Sequence, residues 1–257
     1  MRLMTIRRQP DSSQGIFETM LVVRGEPVAQ GAHLSRLETS LEAVYGAGLP
    51  AGARQLVAEH AQGLELGRLR LTFVPSSGIE FEFGEIDRSL HFPQHPIALR
   101  PHAVSGGLGC HKWADRSAIP PSAPGEATLL VDGNEVLEAD RANIFAVRQG
   151  AVFTPPLDGR ILPGVTRATT IELARAGGVE VVESVLTLDQ LRQSEEVFLT
   201  NSIRGIEPVS SIDSAPLRTD RPCTRSLTSA LERSWGLAKP ESAPALAAAR
   251  PPGRPAR

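Results

Sequence analysis

The apolar residues of this chain lie in short runs separated by glycine and proline, and this pattern limits the folds open to it. The 257 residues include 23 glycines and 21 prolines. Apolar runs such as 127–131 are far shorter than the ~20 residues that a membrane span requires. At ~150 residues per domain, the length corresponds to one or two domains. We therefore expect short strands and amphipathic helices around a buried core, with no membrane partner.

The charge balance and the cysteines exclude several classes of protein. Lys and Arg number 27 against 29 Asp and Glu, and the net charge of −2 gives no general attraction for nucleic acid or anionic membrane. A small-molecule partner is expected instead. Cys110 and Cys223 are too far apart in sequence to indicate a disulfide framework. The first 14 residues are polar and lack the apolar centre of a secretory signal, so we expect a cytoplasmic protein.

The first part of the chain has the pattern of a sheet covered by helices. Strand-forming runs end at glycine, proline or serine, and apolar residues from His33 onward recur at helical spacing until Gly46. The predicted strands cover residues 16–23, 68–74, 79–83 and 97–104, and the predicted helices begin at His33 and cover residues 53–61. We assign residues 1–105 to a small N-terminal domain.

The second part predicts a larger β-rich domain after a glycine-rich segment. Residues 106–112 are predicted to be a hinge, because adjacent glycines lack Cβ atoms. Strand patterns at 127–132, 136–138, 143–148 and 151–154 alternate with turns, which is typical of a β-meander. The predicted elements that follow are helix 166–176, strand 179–185, a capping box at Thr187 and Gln190, strand 197–200 and helix 224–235. This domain is predicted to be 113–237, and the Ala, Pro and Arg of 238–257 predict a disordered tail.

Lys112 is the first candidate for chemistry. It follows the predicted hinge and stands between His111 and Trp113. A partly desolvated lysine has a lowered pKa and can form a Schiff base, whereas a solvated lysine beside a loop is the more common situation. The residues alone leave both interpretations open.

Two further segments are candidates for a binding site. One could bind an anion, and the other ends a predicted strand with polar residues. The turn at 161–167 opens into a helix, so the N–H groups of Val165 and Thr166, the Thr166 hydroxyl and the helix dipole suit a phosphate. A plain helix start is the alternative. Segment 200–205 ends a strand with small hydrogen-bonding residues, which also occur in ordinary turns.

A carboxylate and a group of histidines complete the candidates. Glu138 lies within the predicted meander and needs a partner if buried, either a protonated ring nitrogen of a cofactor or Arg141. His91, His95, His102, Cys110 and His111 cluster in sequence, but Pro93 and the lack of paired ligand motifs argue against a metal site. Nucleophile-elbow, Walker and dinucleotide-binding motifs do not occur in the sequence, which removes the usual support for those enzyme classes.

Several segments, taken in chain order, resemble the class IV, or fold-type-IV, pyridoxal-phosphate enzymes. They are GIFETMLVVRGEP, HLSRL, HKWADR, EVLEADRANIF, VFTPP, ILPGVTR and FLTNSIRGIEPV. The resemblance covers about residues 15–213. It implies an α+β fold of two domains like that of D-amino-acid aminotransferase, pyridoxal 5'-phosphate as cofactor, and a homodimer with the active site between the domains.

The resemblance also implies roles for individual residues. Lys112 matches the lysine that forms the Schiff base with the cofactor, and Glu138 matches the carboxylate at the pyridine nitrogen. The remaining matches are to the phosphate site, with Arg36 as its arginine, Val165 and Thr166 as backbone donors, Ser202 as a hydroxyl and Asn201 as its neighbour in the same turn.

Within the family, HKxxxR and NSxRG are most similar to the aminodeoxychorismate lyases, and the tyrosine that branched-chain aminotransferases have shortly after the lysine is absent. This resemblance implies release of pyruvate from 4-amino-4-deoxychorismate to give 4-aminobenzoate. That substrate has two carboxylates, so Arg116 and Arg204 are candidates to bind them. The alternatives are a class IV aminotransferase for branched-chain or D-amino acids, and a non-catalytic binding protein with this fold.

Overall fold

The structure is a computed structural model and describes residues 10–237. The tail predicted at 238–257 lies outside the described residues. In the described range, none of the helices combines the length and the apolar character needed to cross a membrane.

The first half of the chain forms a four-stranded antiparallel sheet with two helices on it. Its elements are β1 (Ile16–Val23), β2 (Glu26–Pro27), α1 (Gln30–Tyr45), α2 (Ala53–Ala61), β3 (Leu66–Val74) and β4 (Gly78–Glu85), with strand order β2-β1-β3-β4. Leu34, Leu37 and Leu41 lie on one face of α1 and are fully buried against the sheet. The predicted bounds of β1 and α2 are confirmed, and α1 begins three residues before His33.

The second half forms a ten-stranded mixed sheet with three helices packed around it. Its elements are β5 (Ile97–Ala103), β6 (Glu126–Asp132), β7 (Glu135–Ala139), β8 (Asn143–Arg148), β9 (Ala151–Thr154), α3 (Val165–Ala176), β10 (Val181–Glu183), β11 (Leu186–Thr187), α4 (Leu188–Arg192), β12 (Glu196–Asn201), β13 (Gly205–Ile212), β14 (Ala215–Pro216) and α5 (Pro222–Ser234). The strand order is β10-β9-β8-β12-β13-β5-β6-β7-β11, and β14 pairs with β13. The capping box of Thr187 and Gln190 is confirmed at the start of α4.

The sheet arrangement differs from the sequence prediction in two places. β5 belongs to the second sheet, between β13 and β6 and parallel to both, so the change of sheet precedes Ile97 instead of falling at residue 105. The predicted meander is interrupted, because β12 is the neighbour of β8 and the described residues of β7 and β8 share only a bridge between Ala139 and Ala142.

The glycine-rich segment before Lys112 is closely packed. A Cβ atom on Gly107 would lie 2.1 Å from the Arg160 carbonyl oxygen, and the φ of Gly107 is +68°, so the glycine permits a close backbone approach. Beyond it, the Phe17 N–H donates to the Lys112 carbonyl at 2.9 Å. The backbone that carries Lys112 is therefore fixed to β1 of the first sheet.

Candidate active site

One cavity joins the two halves of the molecule and has a volume of about 620 Å³, including the part open to solvent. Its walls include every predicted site residue except Arg204, namely Arg36, Lys112, Arg116, Glu138, Val165, Thr166, Asn201 and Ser202. These side chains come from α1, the segment after β5, β7, the start of α3 and the turn after β12. The structure thus brings together residues that are up to 166 positions apart in sequence, from Arg36 to Ser202.

Lys112 is partly buried at the cavity wall. Burial, together with the positive charge of Arg36, lowers the pKa of its amine from 10.5 to about 8. The Nζ atom lies 4.9 Å from the centre of the Phe17 ring. In residues 10–237 no side chain accepts a hydrogen bond from this amine, so it is available to a molecule in the cavity.

Glu138 is a buried carboxylate without a salt bridge in the part of the chain that the structure describes. The Leu162 N–H donates to its Oε2 at 3.2 Å, and the Asn143 amide lies 3.4 Å from the same atom. Burial raises the pKa of this carboxyl from 4.5 to about 8. Arg141, the alternative partner, is 87% exposed and lies 3.8 Å from Asp140 instead. Glu138 can therefore still accept a proton or a charged N–H from the cavity.

The start of α3 contributes a set of hydrogen-bond donors to the cavity. Gly164 precedes the helix, and no side chain caps the first turn. A Cβ atom on Gly164 would lie 1.9 Å from the Asn143 Oδ1 atom, so a larger residue here would displace the Asn143 side chain. The Thr166 and Ser202 hydroxyls are 3.3 Å apart. We use the name phosphate cup for the following set of groups: the backbone N–H groups of Val165 and Thr166, the Thr166 and Ser202 hydroxyls, and Arg36.

Arg36 is held in the phosphate cup by a carboxylate that the sequence interpretation did not include. Its Nε and Nη2 donate to the two oxygens of Glu18 at 2.7 Å each, and its Nη1 donates to the Pro163 carbonyl at 2.8 Å. A guanidinium has five N–H groups, so two remain for another acceptor. Glu18 is fully buried, and Arg36 and His33 hold its pKa at about 2 although burial alone would raise it.

His33 is the second residue that the sequence interpretation missed. Its Nδ1 lies 2.8 Å from the Glu18 carboxylate, and its Nε2 lies 3.3 Å from the Ser202 hydroxyl. The signals were a carboxylate within an apolar strand and a histidine one helical turn before Arg36. Both belong to segments that carried the family resemblance, but neither was given a role. Thr200 begins the predicted segment 200–205 but was given no role, and its buried hydroxyl at the cavity has no hydrogen-bond partner in the described residues.

The two predicted substrate arginines lie in different surroundings. Arg116 is partly buried at the cavity, where burial lowers its pKa, and its guanidinium makes no hydrogen bond with the described residues. Arg204 does not reach the cavity wall, because its Nε and Nη2 bind the Glu207 carboxylate at 2.9 and 2.5 Å. The structure therefore brings Arg116, and not Arg204, to the candidate site.

Comparisons with known proteins find similarity to the class IV aminotransferases. Residues 111–212 match the family model described as amino-transferase class IV. The branched-chain-amino-acid aminotransferase of Salmonella typhimurium is 35% identical over 125 residues, which are 45% of this chain and 40% of that protein. The chain thus matches about two fifths of the length of this curated relative.

Solved structures share the fold over most of the chain. The 4-amino-4-deoxychorismate lyase of Pseudomonas aeruginosa superposes with a TM-score of 0.70 and 24% identity, covering 91% of this chain and 96% of that one. The branched-chain amino acid aminotransferase of Escherichia coli gives a TM-score of 0.71 and 20% identity, covering 89% of this chain and 88% of that one. The predicted α+β fold of the class IV enzymes is confirmed.

Proposed function

We propose that this chain is a pyridoxal-phosphate-dependent 4-amino-4-deoxychorismate lyase. The proposal starts from the match of residues 111–212 to the class IV aminotransferase family, whose members use pyridoxal phosphate. The reaction breaks the C–H bond at ring carbon 4 and the ether C–O bond, and gives 4-aminobenzoate and pyruvate. The observation that carries the proposal is that Lys112, Glu138 and the phosphate cup line a single cavity.

The residues present fit pyridoxal phosphate. The cup offers the free first turn of α3, two hydroxyls and two unused N–H groups of Arg36 to a phosphate dianion. Glu138 is a buried acceptor without a salt bridge, which suits a protonated ring nitrogen. When bound, the cofactor supplies an electron sink for the bond electrons released at the substrate carbon.

Lys112 can act as both nucleophile and proton carrier. With a pKa of about 8, about a tenth of the amine is neutral at pH 7, against fewer than about one molecule in a thousand for a solvated lysine. A neutral Nζ can take the proton from ring carbon 4 and later deliver it. The Phe17 ring beside Nζ limits the water around the amine.

The charge of the cavity mouth supports an acidic substrate. The Arg116 guanidinium has no hydrogen-bonded partner among the described residues and can bind a carboxylate in two-point geometry. Arg141, which lies 3.8 Å from Asp140, also lines the cavity and is a second candidate to bind a carboxylate. We expect Arg116→Ala to raise the KM for aminodeoxychorismate about tenfold or more, and Arg204→Ala to leave it within about twofold. An equal effect of the two changes would contradict this assignment.

The second candidate function is that of a class IV aminotransferase. It is favoured by the curated relatives, several of which are branched-chain or D-amino-acid aminotransferases. The homodimer implied by the family resemblance remains a prediction for either function.

One pair of assays separates the two functions. The purified chain with pyridoxal phosphate is incubated with aminodeoxychorismate, and separately with amino acids and 2-oxoglutarate. We expect 4-aminobenzoate and pyruvate in equal amounts in the first assay and no amino-group transfer in the second. Lys112→Met is the control and should abolish any product. A new amino acid without 4-aminobenzoate would refute the lyase proposal, and no visible absorbance with pyridoxal phosphate would indicate a non-catalytic protein.

A further inference from the structure

A chain of hydrogen bonds runs from the interior of the molecule into the phosphate cup. Glu18 of β1 contacts His33 of α1 at 2.8 Å, His33 contacts Ser202 at 3.3 Å, and Ser202 contacts Thr166 at 3.3 Å. Glu18 and His33 are each 1% exposed. Neither residue lines the cavity. His33 reaches it through Ser202, and Glu18 also reaches it through Arg36.

The protonation state of His33 decides which way the Ser202 hydroxyl can donate. Glu18 is ionised and can only accept, so Nδ1 of His33 carries a hydrogen in either charge state. In the neutral ring Nε2 is therefore an acceptor, and the single hydrogen of Ser202 is drawn toward His33. In the charged ring Nε2–H donates to the Ser202 oxygen, and the hydroxyl hydrogen is free for the cavity.

The charged groups around His33 explain why its state is sensitive to a ligand. Burial lowers its pKa most, Glu18 raises the pKa, and Arg36 and Lys112 lower it. These are the titratable groups facing the ring from β1, from α1 and from the segment after β5. A phosphate dianion in the cup would add negative charge beyond Ser202, which favours the charged ring.

We propose that His33 is the positioning residue of the phosphate cup and takes up one proton when a phosphorylated ligand binds, which turns the Ser202 hydroxyl toward the phosphate. The inference rests on the proposed function only in requiring that the cup holds a phosphate. The lyase reaction itself is not needed for it.

The proposal has a definite pH dependence. Binding raises the pKa of His33, so affinity is greatest below the pKa of His33 in the free protein and falls as the pH rises from that value through the pKa in the complex. For uptake of one proton, the dissociation constant increases by up to about tenfold per pH unit. The window lies above about pH 6, where the phosphate is already a dianion.

The test uses the full chain carrying Lys112→Met, which removes the other amine that could take up a proton and prevents Schiff-base formation. The probe is pyridoxine 5'-phosphate, which has no aldehyde, and pyridoxine is the control without phosphate. Calorimetry in two buffers with different ionisation enthalpies measures the protons taken up between pH 6.5 and 8.5. Glu138, with a pKa of about 8, can exchange a proton when either probe binds. We therefore expect the phosphorylated probe to take up about one proton more than pyridoxine does, with a pH-dependent dissociation constant.

Substitutions assign the proton to His33. His33→Gln keeps an amide near Ser202 that cannot titrate, so the difference in proton uptake between the two probes should fall to about zero, and the ratio of their dissociation constants should change by less than about twofold with pH. Ser202→Ala is the second variant, for use if His33→Gln does not fold. It keeps the histidine but removes its hydrogen-bond partner, so the proton uptake should be lower than in the parent. His60→Gln, on α2 against Phe81 and Phe83, is the matched control and should leave the uptake unchanged.

The outcomes separate this inference from the proposed function. Equal proton uptake in the parent chain and in His33→Gln overturns this inference but leaves the proposed function standing. It would mean that His33 has a purely structural role, whose loss lowers the affinity by the same factor at every pH. Failure of pyridoxine 5'-phosphate to bind the parent chain contradicts the cofactor assignment and removes the basis of the inference as well.

Discussion

Replacing Glu138 by glutamine should make the cofactor-free protein more stable while removing its function. The carboxyl is 7% exposed, and its pKa rises from 4.5 to about 8 because burial disfavours the charged form. Lys112 and Arg116 oppose this effect without reversing it. Glutamine has the same shape, and its carbonyl oxygen can still accept from the Leu162 N–H.

The size of the stability difference follows from the difference between the pKa values of Glu138 in the folded and in the unfolded protein. A folded-state pKa above the unfolded value means that stability is lost as the pH rises, here between 4.5 and about 8. At ~1.4 kcal/mol for each tenfold change in proton affinity, the full loss is about 5 kcal/mol. The uncharged Glu138→Gln variant does not incur this loss, so its advantage over the parent should grow with pH up to that amount.

Urea unfolding of the cofactor-free parent and of Glu138→Gln, at intervals from pH 5 to pH 9, measures this difference. The slopes due to all other groups cancel in the comparison. A difference in unfolding free energy that stays constant within about 1 kcal/mol over this range would refute the reasoning. Pyridoxal phosphate should stabilise the parent more than the variant, because only the parent can pair with a protonated ring nitrogen.

Two further changes test the packing around the site and the sheet. Gly164→Ala places a Cβ atom 1.9 Å from Asn143 Oδ1, so we expect the free energy of unfolding to fall by about 1–3 kcal/mol and the cofactor to bind more weakly in an absorbance titration. Gly31→Ala is the control; its Cβ atom would meet open space, and the free energy of unfolding should rise by up to about 1 kcal/mol. A stable Gly164→Ala variant with unchanged binding would contradict the described contact. Glu196→Ala removes the buried acceptor of the Cys223 and Thr224 N–H groups at the start of α5, and should cost about 3 kcal/mol in urea unfolding; a loss below about 0.5 kcal/mol would contradict the capping role.

Local sequence patterns predicted most elements of the fold, but not which strands are neighbours. The bounds of β1, α2, β8 and β9 follow from apolar periodicity between glycine and proline turns. β13 was not predicted, since its glutamate, proline and serines interrupt the apolar pattern. Its position beside β5 depends on pairing over more than 100 residues, which no local pattern specifies.

The sequence predicted most of the residues that line the site, but few of the contacts between them. Lys112, Glu138 and the start of α3 stood out because each was unusual in its local context. The assignment of Arg204 did not anticipate Glu207, three residues later, which binds its guanidinium. Glu18 and His33 gain their meaning only from tertiary contacts, in which one buried carboxylate holds two basic groups of α1.

The central position of β5 has a consequence for how the protein is made. One neighbour of β5, β6, is synthesised soon after it, but the other, β13, is the segment Gly205–Ile212 near the far end of the described chain. A nascent chain halted on the ribosome before residue 205 would hold β5 with one edge open, and the strand that precedes Lys112 would lack its second support. We therefore expect the cavity to form only after β13 has emerged, and shortened translation products to be targets for chaperones and proteases.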